Sequence, residues 1–217
     1  MSLTTAAFSN ASQKPIFSDE MLEATRIGDI KAVRALLQQG ADPNKKNEHS
    51  TTALILAALN GYTEIVRLLI NNGADIHTRN IDGTTALMMA VWGGHTKSAR
   101  LLIANGAEIN DSNKYDTTVL IGAVLHNRIE SVSLLIEKGI DFDKRSGITD
   151  DNAMDYAIRS NYLEIVQILK DAYEAPQKRA EAEAEAQRLS RVTSPALLRN
   201  MPVPKLIRPK PASGKNP

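Results

Sequence analysis

Cysteine is absent from this chain of 217 residues. Its absence excludes disulfides, thiolate metal sites and a cysteine nucleophile, and it fits a reducing compartment. Aromatic residues make up only 4% of the sequence, although hydrophobic residues make up 42%. A hydrophobic core must therefore consist mainly of leucine, isoleucine, valine and alanine.

Long apolar segments are missing as well. The longest apolar runs are residues 53–59 and 86–92, far short of the roughly 18 residues that a membrane-spanning helix needs. The first 17 residues lack the basic start and the continuous apolar stretch of a secretory signal peptide. The sequence therefore predicts a soluble cytoplasmic protein with no membrane span.

Common catalytic and nucleotide-binding motifs are also missing. The chain contains no phosphate-binding GxxxxGK[ST], no dinucleotide-binding GxGxxG and no GxSxG nucleophile motif. The four histidines fall at different registers, and no pair has the i, i+4 spacing of a helical metal site. They are His49, His77, His95 and His126. We expect no catalytic residue, no metal ion and no cofactor.

Charge is distributed unevenly, although the formal net charge of the whole chain is only +1. Residues 19–173 hold 16 Lys and Arg against 21 Asp and Glu, a net charge of −5. Residues 174–217 hold 9 against 4, a net charge of +5. This asymmetry indicates two segments with different roles.

The chain instead has a repeat of 33 residues. Its clearest mark is a series of glycines, each followed by a small or apolar residue and an acid: Gly40, Gly73, Gly106 and Gly139. Within each unit a hydrogen-bond acceptor of the kind that caps helix N-termini precedes a short Ala-rich apolar run. These N-cap residues are Asp19, Thr52, Thr85, Thr118 and Asn152. Gly61 and Gly94 are expected to end the first helix of their units in the left-handed conformation.

A second apolar stripe follows in each unit with i, i+3, i+4 spacing, as at Ile65, Leu68 and Leu69. A fixed period of this length indicates one helix pair that is copied and stacked. We expect five units that form a complete array over residues 19–173. Their boundaries are 19–46, 47–79, 80–112, 113–145 and 146–173.

The segments on either side of the array have different compositions. Residues 1–18 are expected to be a flexible N-terminal segment. Residues 174–217 are expected to be a basic, Pro-rich tail, partly helical and then disordered. Pro176 is expected to mark the break between the array and this tail.

The motifs within the units resemble those of ankyrin repeats. The Thr-Pro-Leu-His motif of that family has counterparts at residues 52–55, 85–88 and 118–121. The Gly-His pair of the family is intact only as Gly94-His95, where the resemblance implies a structural histidine. The Gly-Ala-Asp-x-Asn loop has counterparts at residues 40–44, 73–77 and 106–110. The resemblance implies an all-α repeat solenoid of stacked helix-turn-helix units, joined by β-hairpins or turns.

The resemblance also implies a binding surface for another protein. Ankyrin arrays bind through the tips of their turns and the outward side of the first helix of each unit, on the concave face. Leu59, Trp92 and Leu125 share one register there, and we call them the apolar column. We expect the column, flanked by Ile81 and Tyr115, to bind a partner protein, because contiguous exposed apolar surface marks such sites. The expected polar surround is Arg26, Lys114, His126 and Arg159.

A competing interpretation of the apolar column is that its side chains pack against adjacent helices and complete the core. In the main interpretation the protein is a non-enzymatic, monomeric scaffold, adaptor or inhibitor. Asn44 and Asn110 occupy the register of asparagines that the hypoxia-pathway hydroxylase modifies in animal ankyrin proteins. A plain role in the loop is the interpretation that we favour for both residues.

The basic tail is either an inert, solvated terminus or a functional segment, for which three hypotheses stay open: secretion, contact with nucleic acid and contact with the array. Ankyrin proteins of intracellular bacteria resemble this chain in size and can carry C-terminal secretion signals, so the chain could be a secreted effector that captures a host protein. From residue 186 onward the tail has seven basic residues and no acid. This composition suits contact with nucleic acid or with the acidic array, although the tail lacks an aromatic residue that would stack on bases.

Overall fold

The structure is a computed structural model that describes residues 17–192. Contacts between residues divide the chain into two compact units, with the boundary after Ala172. The described residues form ten α helices. In chain order these are α1 (Phe17–Arg26), α2 (Ile30–Gln38), α3 (Ala53–Leu59), α4 (Thr63–Asn71), α5 (Ala86–Gly93), α6 (Thr96–Ala104), α7 (Val119–Leu125), α8 (Ile129–Glu137), α9 (Ala153–Arg159) and α10 (Leu163–Val192).

The helices up to Ala172 stack in two layers. The first helix of each unit packs on the first helices of its neighbours, so α3 contacts α1 and α5, and α7 contacts α5 and α9. The second helices α2, α4, α6 and α8 pack on one another in the same order. These contacts confirm the all-α repeat solenoid, in which each helix pair buries its apolar faces against the next pair.

The first helices begin where the N-cap residues predict. Thr52, Thr85 and Thr118 each accept a hydrogen bond from the backbone amide three residues later, at 3.4, 3.3 and 3.0 Å. Asn152 and Asp155 form a reciprocal capping box at the start of α9. The prediction for Asp19 was wrong, because α1 begins at Phe17 and Asp19 lies in its first turn. Its carboxylate there interacts favourably with the helix dipole.

The first helices end at residues with positive φ. Gly61 has φ of 71° and Gly94 has φ of 80°, which confirms the prediction that both are left-handed. The corresponding residues of the last two units are Asn127 and Asn161, with φ of 52° and 56°. Asparagine can replace glycine at these positions because its short polar side chain tolerates the left-handed region better than most others.

The core between the two layers repeats with the period of the sequence. Leu69, Leu102 and Leu135 occupy one register in α4, α6 and α8, and none of them is exposed to solvent. Small residues at a shared register of the first helices let neighbouring helices approach closely. These are Ala57, Ala90, Ala123 and Ala157, all fully buried.

The connections between units are turns rather than full β-hairpins. Among residues 17–192, β pairing is limited to a single bridge between Ser112 and Thr118. An asparagine side chain closes each of three turns by accepting hydrogen bonds from the amides two and four residues later, with all six distances between 2.8 and 3.0 Å. These residues are Asn47, Asn80 and Asn113. The side chain therefore provides hydrogen bonds that a longer strand ladder would otherwise supply.

Helix α10 corrects the expectation of a break at Pro176, because the helix continues through that residue to Val192. Proline removes one backbone hydrogen bond, but the following Glu- and Ala-rich sequence has high helix propensity. Lys178 also pairs with Glu174 at 2.9 Å on this part of the helix. Residues 1–16 and 193–217, which include most of the Pro-rich tail, lie outside the described residues.

One ion pair joins two of the second helices. Arg100 of α6 donates two hydrogen bonds to Glu137 at the end of α8, at 2.8 and 3.2 Å. This contact, followed by one from Lys138, lowers the pKa of Glu137 to about 2. The folded state therefore favours the ionised carboxylate, and the resulting stability is present above pH 4.5 and is lost as the pH falls toward 2.

Replacing Glu137 with Gln is expected to make the thermal midpoint less sensitive to acid between pH 4.5 and 2. The effect should be small because both side chains are about half exposed. The matched control is Glu130→Gln, an exposed acid on the same helix. A Glu137→Gln variant that loses as much stability over this range as the wild type would contradict the role assigned to the pair.

Candidate partner-binding surface

The apolar column lies at the C-terminal ends of the first helices, where one register places five side chains in a row. Leu59 ends α3 and Leu125 ends α7, and these two side chains are 43% and 42% exposed. Trp92 lies between them in α5. Arg26 and Arg159 occupy the same register in α1 and α9. The surface is thus an apolar row with an arginine at each end.

Trp92 is more buried than Leu59 and Leu125, its two neighbours in the column, and its side chain is held in a defined position. Its indole Nε1 donates a hydrogen bond to the carbonyl oxygen of Val119 at 3.3 Å. The ring occupies the space beside Gly122, where any Cβ atom would overlap it. The His126 ring lies 6.4 Å away at 33°. Trp92 therefore packs between the third and fourth units as well as facing the surface.

The arginines at the ends of the row are already paired. Arg26 donates two hydrogen bonds to Glu23, at 2.6 and 2.8 Å, and this contact lowers the pKa of Glu23. Arg159 donates to Asp151 at 2.7 Å, and its guanidinium lies 5.7 Å from the centre of the Tyr156 ring. Neither arginine presents an uncompensated charge to a partner.

Ile81 and Tyr115 lie on neighbouring turn tips, and each is 52% exposed. The tips are joined by a backbone hydrogen bond from the Lys114 amide to the Asp82 carbonyl at 2.9 Å. The Tyr115 hydroxyl also donates to an Asp82 carboxylate oxygen at 3.2 Å. The tips are therefore held in register with each other, and the Lys114 side chain is exposed beside them.

The backbone beneath the apolar column is tied to the following unit. His95 Nε2 donates to the Leu59 carbonyl at 2.9 Å, which confirms the structural role implied for this histidine. One unit later Arg128 Nε donates to the Trp92 carbonyl at 2.9 Å. Sequence reasoning missed Arg128, although its position 33 residues after His95 was a signal. The two bonds fix the ends of α3 and α5, on which the column residues stand.

The side chains of Asn44 and Asn110 form hydrogen bonds between the loops of consecutive units. The Asn44 side chain accepts from the Asp75 amide at 2.7 Å and donates to the Gly73 carbonyl at 2.9 Å. Asn110 accepts from the Asp141 amide at 2.9 Å. These bonds support the plain loop role for both asparagines. The Asp75 carboxylate also stabilises its loop, because it accepts hydrogen bonds from the His77 amide and the Thr78 hydroxyl. These bonds lower the pKa of Asp75.

Paired helices stacked at a 33-residue period, with capped starts and left-handed ends, define a helical repeat protein. A family model for ankyrin repeats matches residues 21–113 and 105–180. The chain therefore belongs to the ankyrin-repeat family. A comparison with curated proteins gives no match. Ankyrin repeats are generally protein–protein interaction modules and are typically non-catalytic. Within residues 17–192, no helix is both long and apolar enough to cross a membrane.

Proposed function

We propose that this protein is a non-enzymatic module that binds another protein through the concave face of its ankyrin array. The observation that carries the proposal is the apolar column, in which Leu59 and Leu125 remain more than 40% exposed at equivalent positions. Isolated exposed leucines are ordinary, but apolar side chains aligned across three units form a contiguous patch of the kind that marks interfaces. Ile81 and Tyr115 add two exposed apolar side chains on the turn tips, each 52% exposed.

The mechanism is recognition by a preformed surface. Bonds from His95 and Arg128 fix the backbone at the ends of α3 and α5, and Trp92 is held against Gly122. Few side chains need to be ordered when the partner binds, which lowers the entropic cost of association. Trp92 is suited to be the central anchor, because buried aromatic residues at the centre of an interface contribute most to affinity.

The polar surround divides into two kinds of residue. Lys114 and His126 are exposed and available for contacts at the rim. Arg26 and Arg159 are held by Glu23 and Asp151, so they contribute shape and hydrogen bonds more than net charge. Rim contacts of this kind add specificity but little affinity.

The double variant Leu59→Arg with Leu125→Arg tests the proposal. We expect a partner captured by the wild type to bind this variant at least about tenfold more weakly, because two charges would be buried in an apolar contact. Trp92 is left unchanged because its ring also stabilises the fold. The measurement is affinity capture from the native cell type with identification by mass spectrometry, followed by titration of the identified partner.

The matched control is Ile158→Arg with Leu163→Arg, two exposed apolar residues outside the column, at 60% and 71% exposure. Circular dichroism should show that both double variants are folded. Equal loss of the partner in both, or full retention in the column variant, would place the interface elsewhere.

The cytoplasmic location, the monomeric state and the choice among scaffold, adaptor and inhibitor stay predictions. Delivery into a host cell and contact with nucleic acid also stay predictions. Both depend on residues 186–217, most of which lie outside the described residues. Deleting these residues would abolish either activity while leaving the column-dependent partner bound.

A further inference from the structure

The second helices of the first three units present a column of arginines to solvent. Arg34, Arg67 and Arg100 share one register in α2, α4 and α6, and all three are exposed. Lys31 and Lys97, each three residues before an arginine of the column, are exposed as well. We call these five residues the basic column. It shares no residue with the apolar column, which belongs to the first helices.

The basic column keeps its positive charge when the charges around it are counted. The acids that contact it or cap its first helix are Asp29, Glu64 and Glu137, and Lys138 also pairs with Glu137. Together with these residues the column has six basic groups against three acids, a net charge of +3. A wider count takes every charge of residues 29–46, 62–79 and 95–112 with Glu137 and Lys138. It gives nine basic groups against seven acids, a net charge of +2, within an array of −5.

Three of the five cations in the basic column have no carboxylate partner. Arg67 pairs with Glu64 and Arg100 pairs with Glu137. Within residues 17–192 no ion pair includes the other three cations, which are Lys31, Arg34 and Lys97. The rest of the chain contains no Asp or Glu side chain that could pair with them. A negatively charged partner can therefore neutralise them.

A groove of about 780 Å³ opens beside the basic column, at the starts of α2, α4 and α6. Its cationic lining consists of Arg67, Lys97 and Arg100, and its apolar lining includes Ile30 and Tyr62. Both apolar side chains are partly exposed. The groove therefore offers an apolar contact next to cations that belong to the column.

We propose that the basic column and its groove bind an acidic segment of a partner protein, with carboxylates on the column and an apolar side chain in the groove. This surface is additional to the concave face and does not depend on it. Arginine binds carboxylates through two parallel hydrogen bonds. Arg100 forms such a pair with Glu137 within this chain. Complementary charge also accelerates association and orients the bound segment.

The register of the basic column indicates the length of the segment. Packed helices lie about 8–10 Å apart, so Arg34 and Arg100 are separated by roughly 20 Å. Two turns of a helix rise about 10 Å, so acids seven residues apart on a bound helix match successive arginines. The column ends at the fourth unit, where Ser133 takes the arginine register and Glu130 takes the lysine register. A helix of about 16 residues covers its full length.

The charges around the basic column favour a short acidic segment over a long polyanion. Helix α8 follows the column with Glu130 and Glu137 and contains no basic residue. A nucleic acid or an anionic membrane extends beyond the column onto these acids, which repel it. The apolar lining of the groove also suits a protein side chain better than a phosphate group.

A peptide selection tests this proposal. A random library of displayed peptides about 16 residues long is selected on the full chain. It is counter-selected on the triple variant Arg34→Gln, Arg67→Gln and Arg100→Gln, whose fold is checked by circular dichroism. The variant keeps the tail and the apolar column, so peptides that bind only those parts are removed. We expect survivors with a net negative charge and at least one large apolar residue. Survivors without an excess of acids, or no survivors, would overturn the proposal.

Titration of the strongest survivor measures the contribution of the basic column. We expect the triple variant to bind it about tenfold more weakly at low salt, with the difference largely removed at about 0.5 M salt. The double variant Arg34→Gln with Lys97→Gln leaves every acid of the array with its partner, and we expect a loss of about threefold. A scrambled peptide of the same composition should bind at least about fivefold more weakly, because the acids must match the register. Equal binding of the scrambled peptide would contradict a defined site.

The matched control removes three basic residues from other parts of the array, with Lys45→Gln, Lys46→Gln and Lys114→Gln. All three are exposed, and the net charge changes by the same amount. We expect the affinity of this variant to stay within about twofold of the wild type, because distant charges are screened. Equal effects of the two triple variants would contradict the proposal.

The variant Leu59→Ser with Leu125→Ser separates this surface from the concave face. We expect it to bind the acidic peptide as the wild type does, whether or not the apolar column binds a partner of its own. Loss of the peptide in this variant would place the peptide on the apolar column and overturn the assignment to the basic column.

Two polyanions test the class of partner. The probes are a DNA duplex of about 16 base pairs and vesicles of phosphatidylserine with phosphatidylcholine, both at about 0.15 M salt. The basic tail is present in both proteins, so the comparison is between the wild type and the triple arginine variant. We expect no difference between them for either probe. A tenfold loss of DNA or vesicle binding in the variant would overturn the assignment to a protein segment.

Discussion

Leu102→Ala is expected to lower the free energy of unfolding by roughly 2–5 kcal/mol. Leu102 lies in α6 in the middle of the array, and its side chain is fully buried. It fills the space between the two helix layers at the register that Leu69 and Leu135 fill in the neighbouring units. Truncation leaves a cavity that these neighbours, already packed against one another, fill only in part.

The measurement is urea unfolding followed by far-UV circular dichroism. Leu163→Ala is the control, because the same substitution at a residue that is 71% exposed should change stability by no more than about 0.5 kcal/mol. Leu69→Ala should behave like Leu102→Ala, since both residues have no exposed surface. A midpoint for Leu102→Ala equal to that of Leu163→Ala would show that the register does not define the core.

Features that depend on a few adjacent residues could be predicted from the sequence. The threonine caps and the left-handed glycines are examples, since a hydroxyl before an apolar run and a residue without a Cβ act locally. The asparagines that replace glycine at 127 and 161 did not stand out, because asparagine is frequent in loops for several reasons. The prediction that Asp19 is an N-cap was wrong because acids occur both at N-caps and in the first turn of helices, and Asp19 lies in the first turn of α1.

Features that depend on contacts between units were harder to predict. The register alone placed Leu59, Trp92 and Leu125 in one column. It did not show that Trp92 is held against the next unit while its neighbours are exposed. That difference depends on Gly122, 30 residues further along the chain, where the first helices of other units carry Leu56, Met89 or Tyr156. The signal in the sequence was Gly122 itself, because glycine destabilises the interior of a helix and is usually found there only where another group occupies the space of its missing side chain.

The pairing of the two arginines also depends on the fold. Arg26 is paired by Glu23 from the preceding turn of its own helix, a partner that helical spacing predicts. Arg159 is paired by Asp151, which is eight residues away and belongs to the turn tip. The residues expected to form a basic surround are therefore neutralised at two of four positions, Arg26 and Arg159.

Gly122→Ala is expected to destabilise the protein by about 1–3 kcal/mol, although it replaces glycine with the best helix former. Gly122 lies in the middle of α7 and is fully covered. The added methyl group overlaps the Trp92 ring, so the indole must leave its position and lose its hydrogen bond to Val119. Trp92 is the single tryptophan of the chain, so its fluorescence emission should shift to longer wavelength as the ring enters water.

The sign of the effect should reverse when the ring is removed. In a Trp92→Ala background the Gly122→Ala change meets no overlap with the indole, and helix propensity should then stabilise the protein by up to about 1 kcal/mol. The double-mutant cycle should therefore give a coupling energy of about 1–4 kcal/mol between the two residues. A Gly122→Ala change that stabilises both backgrounds equally would show that the ring is not held there. Because the same contact positions the proposed central anchor of the interface, Gly122→Ala should also weaken the partner that depends on Leu59 and Leu125.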